Sequence, residues 1–403
     1  MATVELGYGR NVRAFSYDEA RFRLLAPTQA VAPLPDLEVH AALDQPIDAQ
    51  PLEEIISPGE RVLLVLPDVT RPSASGLIAQ ALVRRLVQLG IAARDIRAIF
   101  ATGFRRALDA DEKRDLLSPF IAQRIETIEF DPRDPSQMVQ LGHTARGLPI
   151  ELHRSLFDAS HVILVGPISF HFLLGFTGGR ELICPGLSSL RTIEELFLST
   201  LNDGAPGSLD KNRAHEECER VAAEVAPSFL VNVVVDDRLR PTDLCAGDWR
   251  TSHRRLCAAY ADTHSILIES PRPLVIVSGG GDPFDLDLFQ AYDALRMAAR
   301  ACAEDGTIII VGAFSEGAGA GRSPRMRDLL VAAFAEEAKK RRLVIVSELD
   351  KEQARAFGLE AAPSLEEALA NVERSALGFI MPYGARFMPV IGKGAPPMPT
   401  DTA

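Results

Sequence analysis

The residues best suited to chemistry fall in three short polar clusters, each directly behind an apolar run. The first, Asp68-Val69-Thr70-Arg71-Pro72, follows Arg61-Val62-Leu63-Leu64-Val65-Leu66-Pro67. The second, Thr102-Gly103-Phe104-Arg105-Arg106, follows the run from Ile96 to Ala101. The third extends from Gly166 through His171 to Gly178-Gly179-Arg180, after His161-Val162-Ile163-Leu164-Val165. Arginine presents a planar fork that matches the oxygens of a carboxylate or phosphate. Histidine changes protonation nearest neutrality, and paired glycines let backbone N–H groups close on an anion. Arg71, Arg105, Arg106 and Arg180 thus offer a cationic pocket, His171 an acid or base, and Gly178 with Gly179 a phosphate cradle. Each feature also has a plainer reading. Asp68 or Thr70 can cap a helix, the arginines can be surface residues, His171 can be a satisfied structural histidine, and the glycines can form a tight turn.

The elements that must position these clusters follow from the pattern around them. Runs rich in Val and Leu read as strands buried on both faces. The polar clusters then lie at strand ends, where open α/β sheets bind ligands. Pro72 and Ser73 introduce a helical pattern, Leu77-Ile78, Leu82-Val83 and Leu86-Val87, that stops at Gly90. Its N-terminus favours anions. Three polar strand ends, 68–72, 102–106 and 166–180, are predicted to converge on one rim. Asp109 is predicted to cap a helix with Glu112. Residues 124–130 read as a strand, 142–151 as a hairpin-like excursion, 229–235 as a strand, and 249–262 as a helix bridging two domains.

A fresh strand–helix alternation starts at Pro273. It places strands at 273–278, 306–312, 343–347 and 378–381, with helices near 286–303, 326–340 and 364–373. Gly279-Gly280-Gly281 follows the first of these strands. Asp282, Asp285 and Asp287 read as solvated loop acids, because the spacing lacks the later glutamate of a calcium loop. Ser315 to Ser323 reads as a lid or ligand loop, or as a long surface connection. Strands separated by helix-length segments imply parallel sheets with right-handed crossovers. The predicted fold is therefore α/β, with two domains of mostly parallel sheets flanked by helices and an active-site cleft between them. The expected domains are 1–265 and 270–380, with a hinge near 262–272. A tail, 381–403, is expected to be able to pack back on the N-terminal domain through Phe387 to Ile391.

Composition narrows the function classes. The 403 residues carry 43 Lys and Arg against 55 Asp and Glu, a net charge of -12, and no dense basic stretch. That balance excludes a nucleic-acid partner, which needs clustered cations for the phosphate backbone. No run approaches the roughly 18 apolar residues of a membrane span. The N-terminus has no apolar segment of signal-peptide length. Five widely spaced cysteines without a CxxC point to a reduced, cytoplasmic protein. The expected partner is a small anionic substrate, and a homo-oligomer is compatible with the sequence.

Taken together and in order, the clusters resemble the nickel-pincer lactate racemase family over most of the chain. The family pattern Asp-x-Thr-Arg-Pro matches Asp68 to Pro72. Its Ala-x-Gly-Thr-His-Arg box aligns with Ala101 to Arg106. Its Gly-x-Ile-x-x-His, Gly-x-Ser-Gly-Gly-x-Lys and Pro-Gly segments align with Gly166 to His171, Gly175 to Glu181, and Pro185-Gly186. A second-domain Gly-Gly-x-Pro-x-Asp…Gln box aligns with Gly280 to Pro283, Asp285 and Gln290. The resemblance implies a racemase or epimerase, or another hydride-transfer isomerase, acting on an α-hydroxy acid through a nickel-pincer nucleotide. It implies His171 as a catalytic acid or base. Asp68, Thr70, Arg71, Gly178, Gly179 and Arg180 would contact the cofactor, and Arg71, Arg105 and Gln290 the substrate.

Four positions depart from the family pattern. Arg105 stands for the second family histidine, Glu181 for the tethering lysine, Phe197 for the nickel-ligating histidine, and Asp293 for a substrate-binding lysine. No metal-ligating residue is therefore assigned, and a cofactor is expected to be held non-covalently. The alternative is a nickel-free enzyme or binding protein that holds a nucleotide or polyanionic acid in an arginine-rich cleft. A subunit without chemistry is the third reading.

Overall fold

The computed structural model describes residues 1–27, 31–319 and 323–392. The tail beyond 392 and the last part of the Ser315–Ser323 loop, both read from the sequence, lie outside the described residues apart from Ser323. Contacts divide the described chain into two compact units. One comprises 1–27, 263–319 and 330–392, and the other 31–262 and 323–329.

The chain opens with β1 (Ala2–Tyr8) and β2 (Asn11–Tyr17), an antiparallel pair, and the short strand β3 (Phe22–Leu24). The sequence pattern had offered no element here. β1 and β2 are half-buried, and their inward residues Val4, Leu6, Tyr8, Phe15 and Tyr17 join a core cluster with Leu274, Ile276 and Ile309.

The second unit contains the sheet whose strands carry the three polar clusters. Its strands are β4 (Val62–Pro67), β5 (Ile96–Ala101), β6 (Glu126–Ile128), β9 (His161–Pro167), β12 (Phe229–Val235) and β13 (Pro241–Gly247). Between them lie the antiparallel hairpin β7 (Met138–His143) and β8 (Pro149–His153), and the two-residue pair β10 (Phe170–His171) and β11 (Gly175–Phe176). The spatial order is β13-β12-β9-β4-β5-β6, parallel except for β13. Every residue of β4 is buried, as its unbroken apolar run requires. Helix α1 (Ser75–Gln88) covers it, contributing Ile78, Ala79, Leu82, Val83 and Leu86 to one core. Full burial of each such Leu, Ile or Val side chain is worth about 1.5–3 kcal/mol. The predicted strand over 124–130 shortens to 126–128, because a sheet edge gives its ends no partner. The predicted Asp109–Glu112 capping box is formed.

In the first unit, the strands after β14 (Ser265–Ile268) are β15 (Arg272–Ser278), β16 (Cys302–Val311), β17 (Arg342–Val346), β18 (Glu360–Ala362) and β19 (Gly378–Met381). They pair in parallel in the order β18-β17-β16-β15-β19-β3. β20 (Met388–Ile391) pairs in parallel with β14. Of the three acids of the glycine-rich turn after β15, Asp282 is exposed as expected and the other two correct the sequence expectation. Asp285 and Asp287 are buried, not solvated. Asp285 accepts from Gly9 N–H at 2.7 Å and Ala313 N–H at 2.9 Å, and Asp287 caps the following helix through Gln290 N–H. All five cysteines are free and buried.

Candidate functional site

Because β9, β4 and β5 are adjacent and parallel, their C-terminal ends lie on one edge of the sheet. The predicted rim is thus assembled by register. At the end of β4, Asp68 forms a tight turn. Its Oδ1 accepts from Thr70 N–H at 3.0 Å and from Thr70 Oγ1–H at 2.7 Å. The turn is local and does not cap α1, whose N-cap position is Ala74 in a left-handed conformation. The turn places Arg71 beside Asp68, and Arg105, from the end of β5, lies 3.9 Å from Asp68 Oδ2. Burial pushes the Asp68 carboxyl up from its ordinary range, while Arg105, Thr70 and Arg71 pull it back.

The third cluster supplies the rest. Glu181 Oε2 accepts from Gly178 N–H at 2.8 Å, and Glu181 Oε1 accepts from Arg71 Nε–H at 3.2 Å. His171 Nε2 lies 3.9 Å from the same Oε1. His171 Nδ1 accepts from the backbone N–H groups of Leu173 (3.0 Å) and Leu174 (3.2 Å). A ring nitrogen that accepts two backbone N–H groups carries no proton, so the proton of the neutral ring sits on Nε2. A second proton is disfavoured by burial first, then by the positive charges of Arg71, Arg180 and Arg105, which hold the His171 pKa well below its usual value. His171 is therefore a neutral hydrogen-bond donor with a fixed tautomer.

Arg180, singled out as a cofactor contact, is fully buried. Its guanidinium donates to Gly178 O at 3.1 Å and Leu174 O at 2.7 Å, and stands 2.9 Å from His253 Nε2. It shapes the glycine loop from behind. A Cβ on Gly178 would lie 2.6 Å from Pro167 O, and Gly178 has a positive φ of 80°, so a side chain there is excluded twice over. His253 was missed by sequence reasoning. It reaches the loop from helix α4 (Thr251–His264), 73 residues from Arg180, and nothing in its local spacing announces that contact.

The position aligned with the family's metal-ligating histidine is built from aromatic rings. Phe197, on helix α2 (Leu190–Thr200), is buried with Ile193 and Leu196. Its ring meets Phe104 edge-on at 6.0 Å and lies 6.3 Å from Phe172, on which His171 stacks at 4.9 Å. Among the described residues, no group of three or more His, Cys, Asp or Glu side chains could hold a metal ion. Gln290 belongs to the other unit, in the first turn of helix α5 (Leu288–Ala301), where its N–H is capped by Asp287. Asp293 is buried on the same helix.

A cavity of about 590 Å³ opens at the opposite ends of β4 and β5, lined in part by Arg61, Arg94, Arg97, His153 and Ser155. His153 there is held by Ser155, and burial lowers its pKa to about 4. No sequence signal pointed to this cavity.

Residues 8–206 match the lactate racemase N-terminal domain. The chain is 29% identical over 328 residues to the lactate racemase of Lactiplantibacillus plantarum, covering 79% of this chain and 76% of that protein. It is 26% identical over 326 residues to the lactate racemase of Thermoanaerobacterium thermosaccharolyticum, with the same shares covered. The lactate racemase apoprotein structure from the latter organism superposes with a TM-score of 0.85 at 21% identity, over 96% of this chain and all of that one. A Thermotoga maritima protein of solved structure has the same fold, with a TM-score of 0.70 at 17% identity. No helix among the described residues is long and apolar enough to cross a membrane. Sequence relatives, the matched domain and the shared fold agree: residues 8–206 match the lactate racemase N-terminal domain, and the chain as a whole is similar to lactate racemases in sequence and fold.

Proposed function

We propose that the chain is an isomerase of the lactate racemase type that binds a small α-hydroxy acid at the rim formed by the ends of β4, β5 and β9. One observation carries this reading. Arg71 and Arg105 stand at the ends of neighbouring parallel strands, beside a histidine fixed as a neutral donor. Two guanidinium groups favour a carboxylate, and the His171 Nε2–H favours an oxygen next to it. Asp68 and Thr70 act by holding the Arg71 turn in shape, and the glycine loop brings Glu181 to the same point. The proposed location is the cytoplasm, on the strength of the free cysteines.

The family's nickel-pincer nucleotide supplies a hydride acceptor when bound. The residues of this chain do not fit its tethered, histidine-ligated form. Glu181 has no amine and already engages Gly178 N–H and Arg71, and the Phe197 ring is packed among Phe104 and Phe172. What these side chains supply is anion binding and orientation of the substrate oxygen. The same two positions favour the second reading, a nickel-free enzyme or binding protein for an anionic acid.

The test incubates the purified protein with enantiopure L- and D-lactate and longer 2-hydroxy acids, followed by chiral chromatography and elemental analysis. Interconversion of one acid, lost in Arg71→Ala, is expected. Tight binding without interconversion would replace the isomerase reading with the binding-protein one, and no binding of any acid would overturn both.

A further inference from the structure

Resting on the α-hydroxy acid reading above, we propose that His171 and Glu181 form a donor–acceptor pair that reads a ligand hydroxyl. Glu181 is then the residue that selects a 2-hydroxy acid over the 2-keto acid of the same skeleton. The argument starts from the valences each group has left. His171 Nδ1 is committed to two backbone N–H groups, so Nε2 can only donate. Glu181 Oε2 accepts from Gly178, and Oε1 accepts from Arg71 at 3.2 Å. A carboxylate oxygen has two acceptor sites, which leaves one on Oε1.

The gap between Nε2 and Oε1 is 3.9 Å, too long for a direct hydrogen bond. It suits one oxygen about 2.8 Å from each, an ordinary hydrogen-bond length. That oxygen must accept from the imidazole and donate to the carboxylate. A hydroxyl does both. A keto oxygen only accepts, and its lone pairs would face the negative Glu181 oxygen. The side chains of His171 and Glu181 are 6% and 13% exposed, so the pair is sheltered, with Glu181 the member nearer solvent. Among the described residues, the other carboxylate at these strand ends is already engaged. Asp68 Oδ1 is taken by Thr70, and Asp68 Oδ2 faces Arg105. The family carries a lysine at position 181, which has donors only, so the discrimination belongs to this chain's own substitution.

Sites built to hydrogen-bond a hydroxyl reject analogues that lack it, because the site groups are left unpaired. Calorimetric titration of the whole protein with L-lactate, D-lactate and pyruvate tests the pair. One lactate enantiomer is expected to bind at least about tenfold tighter than pyruvate. In Glu181→Gln the amide can still accept from Gly178 N–H but can also donate to a keto oxygen, and the preference should fall to within about threefold. Equal binding of lactate and pyruvate by the unaltered protein would overturn the pair and leave the hydroxy-acid reading standing. Binding of neither acid would overturn the hydroxy-acid reading and the pair with it. Should Glu181→Gln fail to fold, nitrogen-15 spectra of the unaltered protein decide. The His171 Nε2–H resonance should shift on adding lactate, and an unmoved resonance would overturn the proposal.

Discussion

Two turns in this protein use the same local device to opposite ends. Each follows a parallel strand and is organised by a buried aspartate: Asp68 after β4, and Asp285 after β15. Asp68 receives its hydrogen bonds from Thr70, two residues on, and its second oxygen faces the side chain of Arg105. Asp285 instead receives backbone N–H groups from Gly9 and Ala313, which are distant in sequence. Around it, Ser278 Oγ–H donates to Gly7 O at 2.7 Å, and a Cβ on Gly7 would lie 2.2 Å from the backbone of Gly280. The turn after β15 thus ties three segments of backbone together. The turn after β4 satisfies itself and leaves arginine, histidine and glutamate side chains at its edge. Polarity at a strand end ties backbone together in one unit and is left on side chains at the sheet edge in the other.

The contrast can be broken most sharply by adding a methyl group. Gly7→Ala drives a Cβ into the Gly280–Gly281 backbone, which cannot swing aside as a side chain would. A loss of about 3 kcal/mol or more in urea unfolding is expected. At the rim, Gly103→Ala meets nothing closer than 3.6 Å and bears only the strain of φ 54°, about 1 kcal/mol. Similar losses for the two would erase the distinction.

Removing the aspartates should follow suit. Asp285→Ala leaves two backbone N–H groups without a partner and should lower stability by about 2–4 kcal/mol. Asp68→Ala should lose roughly half as much in the same unfolding experiment, with the larger loss appearing in binding of a hydroxy acid.

Acid should separate the regions by sign. His171 and His253 are held neutral by burial and by Arg180 among other arginines, and His215 is lowered to about 3 by burial. Their folded pKa values lie below the unfolded value, so between the two the unfolded chain binds more protons and stability falls as pH falls. His215 should contribute a loss of about 2 kcal/mol from pH 7 to pH 5, and His171 and His253 losses of the same sign. Asp285 is shifted up by burial, so its contribution runs the other way and weakens as pH rises above the ordinary carboxylate range. Urea titrations across pH, repeated on His215→Gln, should show a shallower acid slope for the variant. An unchanged slope would contradict the buried neutral imidazole.

A smaller effect on stability than that of Asp285→Ala should come from Arg71→Ala, about 1–2 kcal/mol, because Glu181 keeps its hydrogen bond from Gly178 N–H when Arg71 is lost. Its effect on hydroxy-acid affinity should nevertheless reach tenfold or more by calorimetry. A variant that unfolds without losing affinity would place Arg71 among the architectural residues.

Much of this was legible in the chain because hydrophobic periodicity is a local property. The continuous apolar runs gave β4, β5, β9 and β12 nearly residue for residue, and Asp109 with Glu112 gave a helix start. Adjacent parallel strands then make the convergence of 68–72, 102–106 and 166–180 a matter of topology. The N-terminal strands escaped notice because β3 is three residues long and draws its stability from β19, more than 350 positions away.

The amino-acid sequence by itself determined which side chains stand at the strand ends. It also determined that a lysine and two histidines of the family are replaced by Glu181, Arg105 and Phe197. Only the tertiary structure decided what those side chains do. Arg180 and Arg71 are equally cationic on paper. Packing buries the first against carbonyls and His253, and leaves the second paired with Glu181 at a partly open edge. His171 is an acid or base by residue type, and two backbone N–H groups make it a donor. Asp282, Asp285 and Asp287 share a loop and a charge, and the approach of Gly9 and Ala313 buries Asp285. Charge and polarity are written in the residue, but hydrogen-bond roles and burial depend on which distant backbone reaches it.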